Sequence, residues 1–155
     1  MRTAHMLAAS LALTVLMATG AFAQAAPYTD GSVWNLTFIR VKPAMGDRYL
    51  NDLRATIAHQ FAEAQRQGLL LSWKLLRSPA ANRDDWDVMI MVEYRNMAAL
   101  DGLRAKSGPI AIRVAGTAEE REAKAVARTE LREILGSKLA RELVLRDSVV
   151  ARSVK

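Results

Sequence analysis

The sequence predicts an α+β fold, a four-stranded antiparallel sheet with helices on one face and an extra helix before the last strand. Two patterns carry this reading. Trp86 to Tyr94 alternates strictly, with Trp86, Val88, Ile90, Val92 and Tyr94 on one side and Asp87, Met89, Met91 and Glu93 on the other. A period of two rich in β-branched and aromatic residues is that of a strand. Leu50, Leu53, Ile57, Phe61 and Ala64 instead recur every three or four residues, the spacing of one helix face. Segments of both kinds follow one another in the order β-α-β-β-α-(α)-β. Short connections and right-handed crossovers fold that order into a split βαβ sheet of the ferredoxin-like type.

The elements follow in chain order. Arg2 and His5 precede an apolar run from Met6 to Ala18, and Ala21-Phe22-Ala23 has the form of a cleavage signal. Residues 1–23 are therefore expected to be a signal peptide, cut near Ala23. The run is too short for a transmembrane helix, which needs roughly 20 apolar residues. Residues 24–31 are expected to form a disordered leader, with the domain proper at 32–147 and a flexible tail at 148–155. The first strand is expected at Val33–Val41, ended by Lys42-Pro43 because proline cannot pair in a ladder. Asp47 suits the first turn of a helix that runs to Gly68, where glycine accepts the left-handed conformation of a helix end. Leu69 to Arg77 alternates as a second strand. Asn96 offers a side-chain oxygen to the free N–H groups of a helix over Met97–Lys106, which Gly108-Pro109 should break or kink. Thr117-Ala118-Glu119-Glu120 has the capping-box form, predicting a helix over Ala118–Leu135 capped by Gly136. Leu139 to Arg146 is the expected last strand.

The first strand ending in Lys42-Pro43, and the stretch Glu93-Tyr94-Arg95-Asn96-Met97-Ala98-Ala99-Leu100, resemble the dimeric α/β-barrel superfamily in its antibiotic-biosynthesis-monooxygenase-like branch. There an aromatic residue ends the strand and an Ala-Leu pair lies on the next helix. The resemblance covers roughly residues 33–103. It implies a homodimer in which two sheets close into a barrel, and it admits a cofactor-independent monooxygenase-like enzyme of the cell envelope. Such domains often carry a histidine three residues after the Ala-Leu pair, where this chain has Leu103.

Composition narrows the chemistry. The chain has 155 residues and no cysteine. Disulfides, thiol catalysis and Cys-ligated zinc are thereby excluded. The net charge of +6 comes from 22 basic and 16 acidic side chains. These are interleaved, as in Glu119-Glu120-Arg121-Glu122, so no nucleic-acid footprint is expected. Loss of the signal peptide would remove only Arg2 of the charged side chains, leaving no stable membrane anchor and a periplasmic or secreted bacterial product. There is no phosphate-binding glycine loop, dinucleotide fingerprint or nucleophile elbow. No metal or cofactor is expected. His59, nine residues after Leu50 on the first helix, should face away from the apolar stripe.

Each strand has one strongly apolar face, expected to pack on the helices. On the first strand that face is read as Trp34, Leu36 and Phe38. The second face would then carry Asn35, Thr37, Ser72, Lys74, Met89, Met91 and Glu93. Methionines beside a few polar groups suit a cavity between two sheets holding a small apolar or aromatic molecule. They equally suit a dimer interface and nothing more. Glu93 is the candidate acid or base, because a carboxylate in such a cavity would have its pKa raised by desolvation. Lys74 or an arginine of the other subunit is its expected structural partner.

Overall fold

The computed structural model describes residues 26–146, so the expected signal peptide at 1–23 and the expected tail at 148–155 lie outside the described residues. Four strands and four helices follow in order: β1 Tyr28–Val41, α1 Gly46–Ala55, α2 Ile57–Arg66, β2 Ser72–Arg77, β3 Val88–Tyr94, α3 Leu103–Ala115, α4 Ala118–Thr129 and β4 Arg132–Leu145. A single 3-10 turn at Met97–Leu100 links β3 to α3. The sheet order is β2-β3-β1-β4 and every pairing is antiparallel. That is the ferredoxin-like arrangement. The two strands that each follow a helix, β2 and β4, form the edges.

Register decides which face holds the core. Val33 lies opposite Tyr94, Asn35 opposite Val92, Thr37 opposite Ile90 and Ile39 opposite Val88. Ile39 and Val88 pack with Tyr49 and Leu53 of α1 and with Leu131, while Val92 and Tyr94 pack with Ala64 of α2, Leu70 and Ile110 of α3. The helix side of β1 is therefore Val33, Asn35, Thr37 and Ile39, the reverse of the face expected from the sequence. Trp34, Leu36 and Phe38 point away from the helices. β1 is a central strand with large apolar residues on both sides, so alternation alone could not say which side the helices cover. A one-residue shift of phase exchanges the faces.

The helix predicted from Asp47 to Gly68 is bent. Thr56, 7% exposed, leaves helical geometry between α1 and α2 at φ −126° and ψ −74°. Its hydroxyl donates to the Asp52 carbonyl at 2.7 Å, the back-bonding that bends helices at threonine. Arg128 near the end of α4 clamps the bend, donating to the Asp52 carboxylate at 2.6 Å and to the Thr56 hydroxyl at 3.2 Å. At the far end Gly68, with φ +71°, closes the helix as expected. Leu69 N–H donates to Ala64 and Gly68 N–H to Gln65, both at 2.9 Å, the double bond of a Schellman end.

Other boundaries moved for identifiable reasons. β1 begins at Tyr28, inside the expected leader, because Tyr28–Asp30 pair with Leu143–Leu145 of β4. Asn96 caps as expected, accepting from Ala99 N–H at 3.0 Å, but it caps the 3-10 turn. α3 runs through Pro109 without a break. Proline forfeits one backbone bond there, and burial of the neighbouring Ile110, 2% exposed, offsets the loss. The Thr117–Glu120 capping box forms with both of its bonds, yet α4 ends at Thr129. The segment from Arg132, read as helix from its sequence, is strand instead and pairs along β1. Gly136 lies in that strand opposite Phe38, and Ile39 pairs with Ile134, so Leu135 is the extra residue of a bulge.

Glu63 ties α2 to α3. Its carboxylate accepts from Arg66 at 2.5 Å and Gln67 at 2.6 Å on its own helix, and from Arg113 of α3 at 2.5 Å. The hydrogen bonds from Arg66 and Gln67 hold its pKa below the ordinary carboxylate value. A depressed folded value means the tie stabilises fully above the unfolded pKa of about 4.3 and is lost as pH falls through the lower folded value. Glu63→Gln should therefore narrow the stability gap between neutral and strongly acidic pH, read as urea midpoints at the two pH values. An unchanged gap would show that the tie contributes nothing.

Candidate functional site

The open face of the sheet is built by register. Trp34, Leu36 and Phe38 lie opposite Glu93, Met91 and Met89, and those three lie opposite Ser72, Lys74 and Leu76 of β2. The sheet thus brings Ser72, Lys74, Met89, Met91 and Glu93 together and places Asn35 and Thr37 on the other side. Thr37 accepts a hydrogen bond from Ser137 at 3.1 Å on the helix side. Glu93 accepts from the Ser72 hydroxyl at 2.5 Å. Lys74 does not pair with Glu93; its ammonium lies 5.4 Å from the centre of the Trp34 ring, and Lys138 lies 5.1 Å from that of Phe38. Trp86 precedes β3 and tilts against Phe38, with ring centres 6.4 Å apart, instead of joining the core. This face is a half-buried aromatic and methionine surface with ammonium groups standing over its rings. His59 is exposed on α2.

A half-open apolar chamber lies on the opposite side, beneath the bent helix. Leu50, Leu53 and Arg54 of α1 and Ile57, Ala58 and Phe61 of α2 roof a chamber of about 390 Å³ over Trp73, Leu75 and Ile90. Phe61 and Trp73 meet there at 5.7 Å between ring centres. The bend at Thr56 sits between the two halves of the roof. Apart from Arg54 the lining is aliphatic or aromatic. The chamber holds no carboxylate, imidazole or hydroxyl, so it offers shape and apolar surface rather than an acid, base or nucleophile. Sequence reasoning took these residues as core. The one signal that distinguished them was Arg54, a charged residue immediately after Leu53 and flanked by stripe positions Leu50 and Ile57.

A second, equally open cleft of about 760 Å³ shares Leu50 with the chamber and is lined by Lys42, Asp47, Arg77, Asp87 and the Pro43 and Pro79 loops. Asp87 serves the fold there, accepting from the Val41 N–H at 2.9 and 3.1 Å. Tyr49 and Tyr94 belong to the core. Burial pushes the hydroxyls of Tyr49 and Tyr94 above the usual phenol value, opposed at Tyr49 by the charge of Arg132.

No family model matches the chain, and no curated protein matches it. Among solved structures, HapK from Hahella chejuensis is similar at 9% identity over 71% of this chain and 91% of that one, with a TM-score of 0.48. A dimeric protein of unknown function and ferredoxin-like fold from Bacteroides fragilis NCTC 9343 is similar at 11% identity over 75% and 97%, with a TM-score of 0.37. The fold assignment here rests on the strand order and register of this chain.

Proposed function

We propose that this protein is an exported, non-catalytic binding protein that holds one apolar or aromatic small molecule per subunit in the chamber between α1–α2 and the sheet. The observation that carries the reading is the chamber itself. Its volume of about 390 Å³ falls within the range of small-molecule sites, roughly 300–1,000 Å³. Its lining lacks the converging polar groups that a monooxygenase-like enzyme would need. Glu93 lies across the sheet from it, hydrogen-bonded to Ser72. The signal-like residues 1–23 support a periplasmic or secreted setting.

The open face supports a homodimer, since apolar patches of this kind mark interaction sites. Four strands over seven residues present about 440 Å² of flat area, short of the roughly 800 Å² per partner of stable pairs. The ribbon in which Tyr28–Asp30 pairs with the end of β4 extends that area with the exposed Val144, which shares its side of β4 with Lys138 and Ala140.

The test is titration of the protein with neutral N-phenyl-1-naphthylamine, following its fluorescence, beside the variant Ala58→Phe. The wild type should bind one probe per subunit. The phenyl ring should fill the chamber from its roof and weaken binding by at least about tenfold, the effect of losing one good apolar site. Equal binding by both proteins would move the ligand elsewhere. An absence of binding by the wild type would end the proposal.

A further inference from the structure

We infer, resting on the chamber as the binding site, that its ligand is an amphiphilic monoanion: an apolar body inside and a carboxylate at the mouth, paired with Arg54. Three observations converge on this chemistry.

Arg54 is the one charged side chain among the residues that line the chamber. It is exposed on α1, two residues before the bend. Arginine there covers the apolar rim with its methylene stem while its guanidinium stays in water.

The guanidinium has no acidic partner among the described residues. The ion pairs of the described fold are Lys42–Glu130, Arg66–Glu63, Arg113–Glu63, Arg128–Asp52 and Arg141–Asp30. Asp52, the one acid within four residues of Arg54 in sequence, is held by Arg128 at 2.6 Å. The fork that matches a carboxylate in two parallel bonds is therefore available at the edge of an apolar space.

The chain as a whole is basic, with a net charge of +6. A long-range field of that sign raises the encounter rate of anions and lowers that of cations. Apolar lining sets the body of the ligand, and the mouth sets its sign.

The adjoining cleft offers a competing place for the head group, because Leu50 lines both spaces and Arg77 and Lys42 line the cleft. Lys42 already stands 3.8 Å from Glu130. Arg77 is the remaining competitor, and the test separates it from Arg54.

Titrations of 2-naphthoate and 2-naphthamide compare an anion and a neutral molecule with the same ring system. They are run at neutral pH on the wild type, Arg54→Gln and Arg77→Gln, following tryptophan quenching. The wild type should prefer the carboxylate by about fivefold, the scale of a partly exposed charge-assisted pair. Added salt should shrink that preference without weakening the amide. Arg54→Gln should abolish the preference by weakening the carboxylate far more than the amide, and Arg77→Gln should retain the preference. Equal binding of the two compounds by the wild type would overturn the inference while leaving the chamber in place. So would a preference that survives Arg54→Gln or disappears in Arg77→Gln. Failure of both compounds to bind would overturn the inference together with the chamber reading beneath it.

Discussion

Tyr49→Ala should cost the domain about 4 kcal/mol, the order measured for deleting a large buried side chain. Tyr49 is 1% exposed, in the first turn of α1, where Ile39, Leu53, Val88 and Leu131 surround it. With Leu53 it joins α1 to both central strands and to Leu131, just before β4, in one cluster. The guanidinium of Arg132 also stands 6.0 Å from the centre of the Tyr49 ring, and Arg132 Nε is the buried side-chain polar atom that lacks a hydrogen-bond partner among the described residues. Removing the ring would take away the aromatic face that lies against that cation. Small domains are stable by only about 5–15 kcal/mol, so the variant should melt far earlier or fail to fold. Tyr49→Phe keeps the ring and should lose no more than about 1 kcal/mol. Urea unfolding of the three proteins checks both values. A loss below about 1 kcal/mol for Tyr49→Ala would mean that the α1 end of the domain is not packed as described.

Met91→Lys should convert the proposed homodimer into a monomer, weakening self-association by at least about a hundredfold. Residue 91 occupies the centre of the open face, between Leu36 of β1 and Lys74 of β2. A lysine there would put a second ammonium beside Lys74 in a surface that must lose water when two sheets meet. An unpaired charge buried at an interface costs several kcal/mol. The substitution leaves the helix-side core untouched, because neighbouring positions on a strand point to opposite faces. His59→Ala, on the exposed face of α2, is the control and should change stability by less than about 0.5 kcal/mol. Light scattering at micromolar concentration reads the result. A wild type that remains monomeric, or a Met91→Lys protein that remains dimeric, would remove the open face as the site of association.

The two experiments address opposite sides of one sheet, and the phase of β1 is what makes them independent. Had Trp34, Leu36 and Phe38 faced the helices, the sheet surface left outside would have included Asn35 and Thr37, and association through it would have had little apolar area to use. The register against β3 instead gives the helices Val33 and Ile39, and gives the open face the three large side chains.

The sequence by itself determined the order of elements and the α+β class, because periods of two and of three to four are local properties of the chain. It also determined the capping box at Thr117, the asparagine cap at Asn96 and the glycine end at Gly68, each a local competition for backbone hydrogen bonds. On β2 and β3 it placed Ser72, Lys74, Met89, Met91 and Glu93 together, since one side of each strand is plainly more polar. Tertiary structure alone decided the rest. The phase of β1 depended on pairing with β3, and the strand character of Arg132 to Ser137 depended on pairing with β1 across about a hundred residues. The bend at Thr56 combines a local back-bond to Asp52 with a clamp from Arg128, a side chain 72 residues away. The chamber beneath that bend follows from the same long-range clamp and from β2 and β3 lying under it. A stripe of Leu50, Leu53, Ile57 and Phe61 reads identically whether the space beside it is filled or empty, because local periodicity records which way side chains point and not how far away their partners stand.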